Sequence, residues 1–534
     1  MERTILYGVV AGSLESFLAR ARERDHVVPR FVEREFRTYL ECGIAANGFL
    51  RVHCDACGHD RIVPFSCKGR GFCPSCGGRR MADTAAHLVD RVLPRVPVRQ
   101  WVLSLPVALR YRMAFDAALT SAVLTAFIRA LFASLRRRAR QQRQIRYPQP
   151  GAVTFIQRFG DALNLNVHFH VLALDGVYCA DNPQEMSFLP LDPPEDAEIL
   201  RVAREFARRL ERLLERRGLS GTPDTDEADV LAVEEPLLAE LCGASLRGRV
   251  ASGPRAGHRV RRLGDRIAVE ALQEPATPGC ASIGGINLHA AVAVPASDRR
   301  RLERLCRYTA RPALATERLT QGPDGRLLYR LRHRWRDGTT HMLFEPLELI
   351  ERLAVLVPPP RSHLVRFHGI LAPRASWRDE VVPGAPPTFL VGMAEERGSR
   401  SAPAEKGILL GEPSGAPRNS RTPWAVLLSR VFAVDALTCP RCGQPMRILA
   451  VIQSPEAIHA ILDCLNLSAR PPPVAPPALT GFLPFCSGMC AGPGIGVSHE
   501  QYRPPAPVAR PWRAASHPAL DFWRLQSTAH SQAR

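Results

Sequence analysis

The run Asn164-Leu165-Asn166-Val167-His168-Phe169-His170-Val171-Leu172 constrains the fold of this chain more than any other segment. Apolar and polar residues alternate through it, and side chains on an extended strand point to opposite faces with period two. A strand here carries Leu165, Val167, Phe169 and Val171 on one face and Asn164, Asn166, His168 and His170 on the other. The first face needs a core, and the second is a polar surface with two neighbouring imidazoles. Two imidazoles side by side on a rigid strand suit one divalent metal, which would polarise a phosphodiester. The same pattern also reads as two satisfied histidines on a half-buried strand, since many histidines ligate nothing.

The flanking sequence extends the reading to an α+β domain. Residues 100–105 read as a strand stopped by Pro106, residues 115–142 as a long helix, 153–158 as a second strand and 164–174 as the histidine strand, closed by a turn at Asp175-Gly176. This order predicts a mainly antiparallel sheet with helices on one face and the other face free for substrate. Residues 198–217 read as a charged surface helix, and 218–262, rich in turn residues, as an insertion.

Of the 15 cysteines, Cys42, Cys54, Cys57, Cys67, Cys73 and Cys76 crowd into one N-terminal segment. Four of them form Cys54-x2-Cys57-x15-Cys73-x2-Cys76, the spacing of two knuckles that close a tetrahedral structural zinc site. Gly58 and Gly77 follow the two pairs, where a tight turn brings backbone amides toward sulfur. Cys67 is an alternative ligand, and Cys42 reads as packing. Lys68, Arg70, Arg79 and Arg80 around the knuckles would contact phosphates or simply form a solvated basic face.

Lys and Arg total 71 against 52 Asp and Glu, a net charge of +19 that suits a nucleic-acid partner, although a membrane surface or RNA would fit equally. The longest apolar span, 117–132, is interrupted by Arg129 and falls short of the roughly 20 residues a bilayer needs, so no membrane partner is expected. The N-terminus lacks a secretory pattern, which predicts a cytoplasmic location and reduced thiols.

A second chemical element is the helix predicted from Ser297, a candidate N-cap, to the stop at Pro312. Leu302, Leu305, Cys306 and Thr309 form its apolar stripe. Tyr308 lies on the opposite side with Arg304 at i−4 and Arg311 at i+3. A phenol flanked by guanidinium groups is placed to meet a phosphate, and the alternative is a half-exposed tyrosine on an amphipathic helix.

Several blocks of sequence carry a family resemblance. They are Gln157-Arg158-Phe159-Gly160 with the histidine run and Leu174-Asp175-Gly176-Val177-Tyr178, the segment from Phe65 to Cys76, Leu305-Cys306-Arg307-Tyr308, Trp335-Arg336-Asp337-Gly338-Thr339-Thr340, Arg366-Phe367-His368-Gly369-Ile370-Leu371-Ala372-Pro373, and Leu437-Thr438-Cys439-Pro440-Arg441-Cys442-Gly443. In this order they resemble the HUH endonuclease core of IS91 family transposases and their single-tyrosine relatives, the common-region elements.

The resemblance implies a DNA strand transferase that cuts and rejoins single-stranded element ends through a 5′-phosphotyrosine, as in rolling-circle transposition. His168 and His170 match its metal pair, for Mg²⁺ or Mn²⁺, and Tyr308 its nucleophile. The chain departs from two-tyrosine members, whose nucleophiles lie four positions apart on one helix, because Arg304 and Pro312 stand on either side of Tyr308. For a third metal ligand Gln157 is favoured over Asp161 and His289, and Tyr178 is a competing nucleophile. Arg304, Arg311, Lys68 and Arg70 are the expected DNA contacts, with a homo-oligomer as an option. Two other readings stay open: a zinc-bearing DNA-binding protein that does not cut, and a rolling-circle replication initiator or relaxase.

Downstream, Asp337-Gly338 predicts a hairpin with Arg330, Arg332 and Arg334 on one face. The expected domains are a helical and zinc-binding unit at 1–90, the catalytic domain at 91–375, a Pro- and Gly-rich linker at 376–423, a small CxxC element at 424–467 and a disordered tail at 468–534. The CxxC element is expected to contain a helix at 424–434, a strand at 447–452 and a helix opened by Ser454-Pro455-Glu456. Cys439 and Cys442 are half a zinc site that either recruits Cys464 or binds nothing, and Cys486 and Cys490 have no assigned role.

Overall fold

A computed structural model describes residues 2–179, 186–219, 229–264, 278–383 and 437–477. The helix expected at 424–434, nearly all of the linker, and most of the tail with Cys486 and Cys490 lie outside the described residues.

The chain begins with α1 (Ile5–Arg22) and α2 (Arg30–Glu41), followed by the hairpin β1 (Phe49–His53) and β2 (Asp60–Pro64) and by α3 (Pro74–Arg91). The central sheet collects β3 (Val98–Ser104), β4 (Gly151–Phe159) and β5 (Leu165–Leu174) with β9 (Cys280–Ile283), β10 (Ile286–His289), β11 (Ala293–Val294) and β15 (Val365–Gly369). Its order is β15-β4-β5-β3-β10-β9, with β11 also paired to β3, and every pairing is antiparallel. Between β3 and β4 run α4 (Val107–Phe115) and α5 (Ala117–Arg143); the helix predicted at 115–142 is interrupted at Asp116, whose carboxylate caps α5 by accepting from Leu119 N–H at 2.7 Å.

After β5 come the hairpin β6 (Gly176–Cys179) and β7 (Ser187–Pro190), then α6 (Asp196–Glu215), α7 (Val230–Glu234), α8 (Pro236–Leu246) and β8 (Arg261–Gly264). The helix α9 (Arg299–Ala310) leads into β12 (Leu319–Gln321), β13 (Leu327–Arg330) and β14 (Thr339–Phe344), which form a second antiparallel sheet in the order β12-β13-β14-β8. The helices α10 (Pro346–Leu356) and α11 (Arg378–Val381) flank β15, and β16 (Arg447–Ile452) and α12 (Pro455–Cys464) complete the described chain.

Alternation on β5 builds the layers as the sequence predicts. Val167, Phe169 and Val171 join Trp101 and Leu103 of β3 in one core with Phe127 and Leu131 of α5 and Phe206 of α6. Burying each large apolar side chain contributes roughly 1.5–3 kcal/mol. Residues 198–217 are therefore not simply a surface helix: Ile199, Val202, Phe206 and Leu210 of α6 are buried. The stretch expected as an insertion also holds α8, whose Leu237, Leu238, Leu241 and Cys242 belong to the same core. The helix α5 is long and apolar enough to cross a membrane by length and composition, yet its apolar side is buried against this sheet and α6.

The opposite sheet face is not free, which corrects the expectation of helices on one face only. Val98, Val153, Phe155, Leu172 and Leu174 on that face form an apolar floor, and Ala85, Leu88 and Val89 of α3 with Leu302 and Cys306 of α9 cover it. A floor this apolar could not face water, so an amphipathic helix pair closes over it. The cover lies over the Leu174 end of β5, and His168 and His170 sit toward the other end.

Candidate active site

On β5 His168 and His170 are 7% and 4% exposed. The antiparallel register sets Gln157 of β4 opposite His168 and Val102 of β3 opposite His170, so Gln157 shares the histidine face. His168 Nδ1–H donates to the Asn166 carbonyl at 2.9 Å. A carbonyl can only accept, so the Nε2 of His168 carries the lone pair, and it lies 3.0 Å from His170 Nε2. His170 Nδ1 lies 2.8 Å from the Gln100 side-chain amide. With the amide oxygen turned to Nδ1, both Nε2 lone pairs converge on one point; with the nitrogen turned there, His170 Nε2–H donates to His168. The 3.0 Å separation matches the edge of an octahedron with metal–ligand bonds of about 2.1 Å. Burial pushes His168 down to about 4, aided by Arg311 and Arg110. Burial, the neighbouring His168 and Arg311 push His170 down to about 2. At neutral pH both rings are uncharged and able to accept a cation.

The third ligand is narrowed by what each candidate already does. Gln157 Nε2–H donates to the Thr309 carbonyl of α9 at 2.7 Å, which fixes the amide orientation because that oxygen can only accept. Its Oε1 is buried and has no hydrogen-bond partner among the described residues, an arrangement that calls for an explanation such as an ion. Asp161 is engaged elsewhere, by Arg318 at 2.7 Å and by the Arg332 backbone N–H at 2.7 Å. His289 sits two strands from His170, across Val102. Among the described residues, no Asp, Glu, Cys or further His forms a ligand group with the imidazole pair.

Asp298, rather than Ser297, caps α9, accepting from Arg301 N–H at 2.9 Å; one residue's difference lets a carboxylate meet the positive helix end. Leu302, Cys306 and Thr309 face inward and Tyr308 is 39% exposed. The Tyr308 ring meets His170 edge-on with centroids 5.9 Å apart. The two guanidinium groups over it come from Arg311 at 4.4 Å and Arg332 at 4.9 Å. Arg304 is exposed a turn earlier on the helix. The sequence places Arg332 on a strand face, but β13 ends at Arg330, and Asp161 holds the segment beyond it so that Arg332 bends over the phenol. Strand periodicity carries no signal for that bend. Gln100 was legible in principle, being two residues from Val102 on the same strand face. Tyr178 is buried against Phe188 with its phenol pushed up to about 12 by burial, so it packs by the Asp175-Gly176 turn.

The cysteines divide differently from the expected quartet of Cys54, Cys57, Cys73 and Cys76. The ligand atoms of Cys42, Cys67, Cys73 and Cys76 form one group, and those of Cys54, Cys57, Cys439 and Cys442 another. The reason is the β1–β2 hairpin. Cys54 and Cys57 lie at its tip, whereas β2 returns the chain to Gly43, whose N–H donates to the Phe65 carbonyl at 2.8 Å. A five-residue strand spans about 16 Å, too far for one ion to bridge. In the first group Cys42–Cys76, Cys67–Cys76 and Cys42–Cys73 sulfurs are 3.8, 3.4 and 3.8 Å apart. A zinc tetrahedron with bonds of about 2.3 Å has edges of roughly 3.8 Å. Arg80 donates to the Lys68 and Gly69 carbonyls at 3.1 and 3.2 Å, and Arg70 to the Ser362 carbonyl at 2.6 Å. Arg70 thus ties the thiol loop to the approach of β15, while Lys68 is exposed.

Residues 151–378 match the transposase family model Y2_Tnp, and residues 13–105 match Zn_Tnp_IS91, a transposase zinc-binding domain. The chain belongs to the IS91 family of transposases. DNA is accordingly its partner, and zinc is a metal it binds. No curated protein and no solved structure matches this transposase. The two matched regions meet at the helices: α3, which carries Cys76, packs along α9, which carries Tyr308. A Cβ on Gly77 would lie 2.7 Å from Pro312 Cβ, closer than carbons approach. Gly77→Val should therefore displace the end of α9 and slow any chemistry at Tyr308 by about 10–100-fold. Time courses of product formation, with zinc content measured alongside and expected unchanged, check this.

Proposed function

We propose that this transposase cuts and rejoins single-stranded DNA at the ends of its element, with Tyr308 as nucleophile in an HUH-type site. The observation that carries the reading is the convergence of two neutral imidazoles, the orphaned Gln157 oxygen and a phenol under two guanidinium groups. His168, His170 and Gln157 would hold Mg²⁺ or Mn²⁺, which when bound polarises the scissile phosphate. Arg311 and Arg332 draw the phosphodiester to the phenol and balance the charge that builds on phosphorus. The phenolic oxygen attacks phosphorus and loses its proton to solvent. The bond from phosphorus to the 3′ oxygen breaks, that oxygen takes up a proton, and the DNA is left as a 5′-phosphotyrosine and a free 3′-hydroxyl. Attack of a 3′-hydroxyl on the phosphotyrosine reverses these bonds and joins strands, without ATP. The neighbouring thiol group of Cys42, Cys67, Cys73 and Cys76 holds a structural zinc that supports α3 beneath α9.

The test is a denaturing gel with full-length protein and labelled single-stranded DNA spanning the element ends. A covalent adduct that forms with Mg²⁺ or Mn²⁺ and disappears with a chelator is expected; tight binding without adduct under either metal would support the non-cutting reading. Gln157→Leu should raise the metal concentration needed for half-maximal adduct by about 10–100-fold. An unchanged metal requirement would remove Gln157 from the ligand set.

A further inference from the structure

We propose that the chain carries a second four-thiolate zinc site, split between its two ends: Cys54 and Cys57 from the N-terminal hairpin, Cys439 and Cys442 from beyond the catalytic region. The zinc-binding family match ends at residue 105 and the transposase match at residue 378, so two of these ligands lie outside both.

The local geometry is that of a metal site. Cys54 Sγ lies 3.5 Å from Cys442 Sγ, and Cys57 Sγ lies 3.6 Å from Cys439 Sγ. These separations are too long for disulfides, whose sulfurs bond at about 2.05 Å, and close to the edge of a zinc–thiolate tetrahedron, roughly 3.8 Å. The two CxxC turns repeat each other's hydrogen bonds. Cys54 N–H donates to the His59 carbonyl and Gly58 N–H to the Cys54 carbonyl, both at 2.9 Å; Cys439 N–H donates to the Gln444 carbonyl at 2.8 Å and Gly443 N–H to the Cys439 carbonyl at 2.9 Å. Gly58 and Gly443 both adopt positive φ, at 69° and 74°. Two turns of one shape, 382 residues apart for Cys57 and Cys439, thus face each other sulfur to sulfur.

The surroundings hold this arrangement in register. The strand β16, entered directly from the second turn, pairs antiparallel with β1 and makes the order β16-β1-β2. Val52 and Met446 pack with Cys54 and Cys439, and Phe49 packs with Ile458 and Leu462 of α12. These apolar clusters are small, and a segment of this length cannot build its own core, which is where proteins use a metal staple. Cys464 belongs to neither thiol group. The ion would close the chain into a loop that contains the catalytic region, and its binding would release the protons of the thiols it takes as thiolates.

Native mass spectrometry of full-length protein prepared with zinc tests the proposal. Two zinc ions per chain are expected in the wild type, one in Cys439→Ser/Cys442→Ser, one in Cys54→Ser/Cys57→Ser, and two in Cys464→Ser. Amide exchange in β1 and β16 should accelerate at least 10-fold in the Cys439→Ser/Cys442→Ser protein, with α3 and α9 unchanged. One zinc in the wild type, or two retained by the Cys439→Ser/Cys442→Ser protein, would overturn it. The wild-type count decides the matter even if a variant fails to fold.

Discussion

Tyr308→Phe should abolish the covalent protein–DNA adduct while leaving single-stranded DNA binding within about threefold of wild type. Removing a nucleophile outright costs on the order of 10⁴-fold or more in rate, far beyond any binding term. Binding should survive because both guanidinium groups keep other anchors when the hydroxyl is lost: Arg311, at the end of α9, still donates to the Tyr308 carbonyl at 3.1 Å and stacks on Phe159 at 5.4 Å, and Asp161 holds the backbone of Arg332 in the loop after β13. The measurement is a denaturing gel for the adduct paired with fluorescence anisotropy for affinity. Adduct surviving at wild-type rate would move the nucleophile elsewhere, and an equal loss of binding would mean that the phenol holds DNA rather than attacks it.

The second large effect concerns stability. Arg99 of β3 donates through Nε and Nη2 to both carboxylate oxygens of Asp175 at 2.8–3.1 Å, and through Nη1 to the Ala290 carbonyl at 2.9 Å. Both side chains are about nine-tenths buried. Asp175→Ala would leave a guanidinium in the interior without its counter-charge, which costs about 3–5 kcal/mol. The pair joins the end of the histidine strand to β3 and to the turn before β11, so the loss falls on the frame of the active site. Replacing both partners, Arg99→Met with Asp175→Leu, should recover most of it, because the penalty comes from the stranded charge rather than from the bond. Urea midpoints of the three proteins check this; a loss below about 1 kcal/mol for Asp175→Ala would refute the account.

Both predictions draw on features with different origins in the sequence. Alternation along residues 164–172 is local, since a strand puts every second residue on one face, and the core face and the histidine face follow from it; the strand at 153–158 was legible from its own residues. The tyrosine helix was likewise legible from its apolar stripe and its stop at Pro312, and the hairpin around Asp337-Gly338 forms with Gly338 at φ 84°. The cover of α3 and α9 over the second sheet face was not legible, because a floor made of Val98, Val153 and Leu172 is assembled from three strands and no single stretch reveals it.

The cysteines make the same division plainest. Spacing alone identified CxxC turns and zinc chemistry, because the geometry of a turn depends on four or five consecutive residues. It could not say which turns share an ion. That depends on the direction in which β2 returns, which carries Cys67 back toward Cys42 and leaves Cys54 and Cys57 at the far end, and on β16 pairing with β1 across the whole catalytic region. Local sequence determined the CxxC turns, the strand faces and the helix that carries Tyr308; long-range strand pairing, which has no local signature, decided their partners.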